Sequence, residues 1–180
     1  VTLVIILIPI KSFGLIEVDI TRGNLNPLPV AVSPLSIDEE SRKNFEKILK
    51  KKNIGSEISA IVENNLKISG LFNPLNKDAF LQEPDIANLK PRFEDWNLIK
   101  AQALITGKVS YVEEKLRVEF RLWDVLAGKE MMALAFTTVS SNWRRVGHII
   151  TDKVYERLTG ERGYFDTRII YVAEEGPKTQ

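Results

Sequence analysis

The chain has 180 residues, 44% of them apolar, and a formal net charge of +1. That is the length of one ordinary domain with apolar material for a real core, and a near-neutral balance gives no broad field to gather nucleic acid or anionic lipid. It contains no cysteine, which removes disulfides, thiolate metal sites and cysteine nucleophiles.

The opening run Thr2–Ile10, TLVIILIPI, is apolar throughout. It has the length of a signal-peptide core and is too short to span a bilayer. Ser12 and Gly14 then flank Phe13 with small residues, as a signal peptidase site requires. Residues 1–14 are therefore expected to be an export signal, cut after Gly14. The competing reading is a buried strand, which would be apolar on both faces right at the terminus. No Met or basic stretch stands ahead of Val1, so the protein's first residues are expected to precede it.

Ile16, Val18 and Ile20 alternate with Glu17, Asp19 and Thr21, the pattern of a half-buried strand. A turn-rich link holding Gly23 and Asn24 follows. Leu28, Val30 and Val32 form a second strand. Ser36 is expected to cap a helix whose first turn carries Asp38, Glu39 and Glu40 against the positive helix end. Phe45, Ile48 and Leu49 give that helix a narrow apolar stripe. Lys47 and Lys50–Lys52 crowd its C-terminal end. Gly55 and Ser56 open another helix, with Ile58, Ile61, Val62 and Leu66 on one face and Gly70 as its stop. Leu71–Leu75 is a short extended piece, and Phe93–Lys100 a short helix carrying Trp96.

Three strands then follow, over 104–112, 116–125 and 130–139. Leu116, Val118, Phe120 and Leu122 alternate cleanly with Arg117, Glu119 and Arg121. The connections are short, so the strands are expected to form an antiparallel meander. Its apolar face needs a cover, and the helices at Ser56–Ser69 and Trp143–Leu158 are the candidates. The last helix repeats Trp143, Val146, Ile150, Val154 and Leu158 at helical spacing and stops at Gly160. Phe165–Val172 reads as a new strand. The fold class is α/β: a two-layer domain of one mixed sheet with two main helices on one face.

No catalytic constellation emerges. His148, the one histidine, has Arg144 and Asp152 a turn away on either side. A general base oriented by Asp152 is one reading; a local hydrogen-bonding histidine that fixes the helix is favoured, because no serine elbow or cysteine accompanies it. Asp38–Glu40 reads as a helix start, not a metal site, since consecutive helical residues point apart. The Lys47–Lys52 cluster lacks interleaved aromatics, so it reads as a solvated helix end and not an RNA site. Trp96, Trp123 and Trp143 read as core and interface residues. No catalytic residue, metal, cofactor, small-molecule substrate or nucleic acid is expected.

The run WRRVGHIITDKVYERLTGERGYFDTRIIYV, Trp143–Val172, resembles the domain junction of the TolB family. Further segments match in order: Ile20–Asn24, Pro27–Val32, Ser69–Phe72, and Asp95–Trp96 leading to Ala101–Gly107. The resemblance implies a periplasmic, non-enzymatic component of the Tol-Pal envelope system. It would link the inner-membrane TolA complex to the outer-membrane lipoprotein Pal, peripheral to both membranes and spanning neither. It implies an anticodon-binding-domain-like α/β domain over 27–163, a preceding strand and link over 15–26, and the start of a β-propeller over 164–180. Leu15, Ile16, Glu17, Val18, Asp19, Ile20, Thr21 and Arg22 would then engage TolA, while Pal would be met mainly by the propeller. Trp143, His148, Phe165, Arg168 and Tyr171 would form the domain junction. Two rival readings stand beside it: an accessory domain of a propeller-containing serine peptidase, and an RNA-binding domain.

Overall fold

A computed structural model describes residue 16 and residues 26–167. The expected signal sequence, the 15–22 segment apart from Ile16, and the expected Phe165–Val172 strand beyond Thr167 lie outside the described residues; the first three residues of that strand, 165–167, are bend and coil and not strand.

β1 (Leu28–Val32) runs between two parallel neighbours, with Val30, Ala31 and Val32 at 0%, 0% and 2% exposure. A strand buried on both faces has no need of polar alternation, which is why LPVAV lacks it. Pro34 breaks the strand. The Ser59 hydroxyl repairs the break: it accepts the Leu35 N–H at 3.0 Å and lies 3.0 Å from the Ser33 carbonyl. β2 (Ser36–Ile37) then continues along the same neighbour.

α1 (Glu39–Leu49) follows, and here the expectation needs correcting. Asp38, not Ser36, is the cap. Its Oδ1 accepts the Ser41 N–H at 2.8 Å, whereas Ser36 sits in β2 and donates to the Gly107 carbonyl at 3.2 Å. Both residue types cap helices, and the carboxylate nearest the first turn wins because its charge also meets the helix dipole. The backbone hydrogen bond from Ser41 holds the Asp38 carboxyl below its ordinary range.

α2 (Ile54–Ile68) leads to β3 (Phe72–Pro74), parallel to β1. Two short helices, α3 (Pro84–Leu89) and α4 (Phe93–Leu98), precede the meander β4 (Ala103–Val112), β5 (Lys115–Asp124) and β6 (Lys129–Thr138). α5 (Trp143–Thr159) closes the described fold. The six strands form one open mixed sheet in the order β3-β1-β4-β5-β6, with β2 beside β4. Ile105 stands opposite Leu122, and Leu122 opposite Met132, so the alternation in the sequence sets the register.

α2 and α5 lie together over one sheet face. Val30, Ile105, Leu122 and Phe120 meet Ile58 and Leu66 of α2 and Ile150, Val154 and Leu158 of α5, all nearly inaccessible to solvent. This is the helix-covered face expected above. The reverse face has a smaller cover that the sequence reading lacked. α3 and α4 lay Ala87 and Trp96 over Ala31, Leu104 and Val125. Gln82 ties this layer together: its Oε1 accepts from Trp96 Nε1 and from the Arg92 N–H, both at 3.0 Å, and its Nε2 donates to the Lys90 carbonyl at 2.9 Å. Arg117 and Glu119 stay at the surface on that side, while Arg121 reaches the cover, its Nη1 donating to Asn88 Oδ1 of α3 at 3.4 Å.

Val154→Asp would bury an unpaired carboxylate under the sheet and is expected to cost about 3–5 kcal/mol. Arg117→Ala, at the surface, is expected to cost roughly 0.5 kcal/mol or less. Urea midpoints of the two variants check the face assignment. Asp38→Ala is expected to cost about 1 kcal/mol near neutral pH, the usual worth of an N-cap. A depressed carboxyl stabilises the fold above its unfolded value and stops doing so as pH falls through its folded value. The gap between wild type and Asp38→Ala in thermal unfolding should therefore shrink as the solution is acidified through the carboxylate range.

Candidate partner-binding site and the chain exit

β5 ends at Asp124, whose side chain is 1% exposed. Its Oδ1 accepts the Ala127 N–H at 2.8 Å and so ties the turn into β6, where Gly128 takes φ +63°. A buried carboxylate needs more than one donor. Its Oδ2 accepts the backbone N–H of Ile16 at 3.3 Å. β1, β4 and β5 finish level here: Gln102 donates to the Pro29 carbonyl and Val125 to the Gln102 carbonyl, each at 2.9 Å. Ile16 therefore meets the sheet at this common end, with its side chain against the main core. At 3.3 Å its bond is longer than the usual amide contact, so the tether is weak. Of the expected partner-binding residues, only Ile16 is among the described ones.

The other end of the domain is held differently. α5 stops at Gly160 in the left-handed conformation, φ +74°, with its N–H on the Glu156 carbonyl. The chain then turns back along α5. The Asp152 carboxylate accepts the Phe165 N–H at 2.7 Å and the Asp166 N–H at 3.0 Å. Gly163 is pressed against it: a Cβ there would lie 2.4 Å from Asp152 Cα. Arg145, two turns earlier on the helix, grips Asp166 through Nε and Nη2, each at 3.0 Å. The hydrogen bonds and the charge of Asp166 raise the Arg145 guanidinium above its ordinary value. Tyr155 completes the clasp, edge-on to Tyr164 and Phe165 at 5.5 and 5.8 Å between ring centres. Burial raises the Tyr155 phenol.

The expected junction residues are spread out. Phe165 lies in this clasp. His148 faces α2, with Nδ1 2.9 Å from Asn65 Nδ2, while Asn65 Nδ2 also donates to Thr151 Oγ1 at 3.1 Å. Asp152 is occupied by the returning backbone, so it does not orient His148. Trp143 is buried at the start of α5, under Arg144 at 4.3 Å and Lys51 at 5.3 Å. Arg168 and Tyr171 lie outside the described residues. Lys51 and Lys52 of the basic cluster pair with Glu57 and Glu46. Asp124 and Asn65 were not singled out from sequence. The Asp124-to-Ala127 spacing is a recognisable turn signal, but nothing local indicates a donor 108 positions away.

The described chain is thus an α/β domain with Ile16 at the sheet end and its exit clasped along α5. The family pattern described as the TolB amino-terminal domain matches residues 16–131. The chain belongs to the TolB family, a periplasmic and non-enzymatic one. It is 85% identical over 175 residues to the Tol-Pal system protein TolB of Pelagibacter ubique (strain HTCC1062), a match that covers 97% of this chain and 39% of that protein. The crystal structure of TolB from Acinetobacter baumannii shares the fold, with a TM-score of 0.62 at 21% identity over 83% of this chain and 33% of that one. The chain thus spans well under half the length of these relatives. Among the described residues no helix is long and apolar enough to cross a membrane.

Gly163→Ala would force the returning backbone off Asp152 and is expected to destabilise the fold by about 1–3 kcal/mol. Glu161→Ala, two residues earlier and exposed, is expected to stay within about 0.5 kcal/mol of wild type. Chemical denaturation of both variants measures the difference.

Proposed function

We propose that this chain supplies the partner-binding front part of a Tol-Pal component that links TolA to Pal and supports outer-membrane integrity and constriction at division. Export by the residue 1–14 signal leaves Leu15–Arg22 as the new N-terminal segment. This segment engages TolA by strand addition: backbone hydrogen bonds give affinity, and the alternating Ile16, Val18 and Ile20 side chains give selectivity. Pal is met mainly by a β-propeller downstream of the α/β domain.

The observation that supports this reading is the 3.3 Å bond to Asp124 from Ile16, the one described residue of the segment. A long bond of this kind is given up at small cost, whereas the paired strands of the sheet are held by ladders. Release exposes the alternating face to a partner's sheet edge and withdraws the partly buried Ile16 side chain from the rim of the main core.

A chain beginning at Asn26 tests the assignment. It is expected to keep the circular dichroism and cooperative unfolding of the longer protein, because β1 and everything after it remain. Its affinity for TolA is expected to fall about 100-fold or more, a loss of about 2.7 kcal/mol. Undiminished binding would refute the assignment. Global unfolding would show that the segment is a fixed part of the sheet.

A further inference from the structure

The break at Pro34 leaves a short strand with one free side. β3 pairs with Leu28, Pro29 and Val30 of β1 and goes no further. β2 therefore has β4 on one side and no strand on the other among the described residues. Beside this free edge lies a notch of about 150 Å³, lined by Ser36, Ile37, Arg42, Gly55, Ser56 and Asp85. Sites that enclose a whole small molecule measure about 300–1,000 Å³, so this one has room for a single group of a larger ligand.

The notch holds more donors than acceptors. Arg42 lines it from α1, half-buried, and its Nε is sealed from solvent without a hydrogen bond. Glu39 stands 3.9 Å from that nitrogen, within ion-pairing range and too far for a hydrogen bond. A buried charged donor without an acceptor is costly. Gly55 lines the notch from the first turn of α2. It is buried, and its N–H finds no acceptor among the described residues. A Cβ on Gly55 would stand 2.2 Å from the Leu35 carbonyl oxygen, so the helix start is pressed against the kink and held in place. The Asn53 side chain caps no amide of α2, which leaves the positive helix end uncovered. One acid opposes these groups: Asp85, exposed in the first turn of α3. That balance suits a guest with one negative charge better than a guest with two.

We propose that this notch receives a carboxylate of an acidic peptide, carried on an extended partner segment that lies along the free edge of β2. The Arg42 guanidinium and the Gly55 N–H hold the carboxylate oxygens by charge-assisted hydrogen bonds. The edge of β2 aligns the peptide backbone, as in other cases of strand addition. A phosphate dianion is the poorer guest, because its second charge meets Asp85. The inference shares no residue with the Leu15–Arg22 segment, and its failure would leave the proposed function standing.

Fluorescence anisotropy on the full-length protein tests it. The probe is a fluorescein-labelled, amidated peptide Val-Asp-Val-Asp-Val, and the reference is the same peptide with Asn in place of each Asp. The Asp peptide is expected to bind saturably and about tenfold more tightly than the Asn peptide. Arg42→Gln is expected to remove that advantage, whereas Lys47→Gln, exposed on the same helix, is expected to keep it. Should Arg42→Gln fail to fold, Asp85→Asn gives a second reading: losing the opposing charge is expected to tighten the Asp peptide about threefold. Equal binding of the two peptides would overturn the proposal, as would equal losses in Arg42→Gln and Lys47→Gln, or Asp85→Asn without tightening. Displacement of the Asp peptide by inorganic phosphate at lower concentration than by acetate would also overturn it, by assigning the notch to a free phosphate.

Discussion

Everything in this domain depends on covering one face of a six-stranded sheet with two helices. Val30, Ile105 and Leu122 come from three neighbouring strands and are at 0–1% exposure. Each such side chain is worth about 1.5–3 kcal/mol when fully buried, so the register that brings them together dominates the alternatives. α2 and α5 can share the face because they pack closely. At Gly147 a Cβ would stand 2.9 Å from Ile61 Cγ2. Where the two helices must also satisfy polar groups, Asn65 bridges to His148 and Thr151. The lone histidine therefore serves packing between helices and has no nucleophile to activate.

With the core fixed this way, the two ends of the domain are governed by two carboxylates. Both accept backbone N–H groups, which are strong partners for a charged acceptor. They differ in how firmly they hold. Asp152 takes two amides at 2.7 and 3.0 Å, and Arg145 doubles the grip through Asp166. Asp124 spends its shorter bond on its own hairpin and leaves 3.3 Å for Ile16. On the proposed function, the long bond at Ile16 suits a segment that is lent to a partner.

Much of the fold was legible because periodicity reports burial directly. The Leu116–Leu122 alternation and the Trp143–Leu158 spacing identify a half-buried strand and an amphipathic helix, and the structure places both on the main core. In the α3–α4 layer, α4 was legible as the short helix carrying Trp96, but α3 and the layer's place on the reverse face were not. Pro84 opens a helix of only 6 residues, too short to show a period, and its glue is Gln82, a polar residue that sequence rules place outside. The helix cap was misplaced because Ser36 and Asp38 both qualify chemically; the strand pairing of Ser36 and the charge of Asp38 at the first turn decide between them. The tethers were the least legible. Asp124 and Ile16 lie 108 positions apart, and no local pattern joins such residues. The family itself was readable because the Trp143–Val172 run and several segments upstream of it match the family's residue pattern in order.

The central claim is that the N-terminal segment is separable from the core that positions it. Residue-resolved amide hydrogen exchange, with and without TolA, tests this most directly. The account predicts that the Ile16 amide exchanges far faster than those of Val30, Ile105 and Leu122 in the free protein. It further predicts that TolA slows exchange at Ile16 while leaving those three unchanged. Exchange of Ile16 at the same rate as the three core amides, or core amides that speed up when TolA binds, would contradict it.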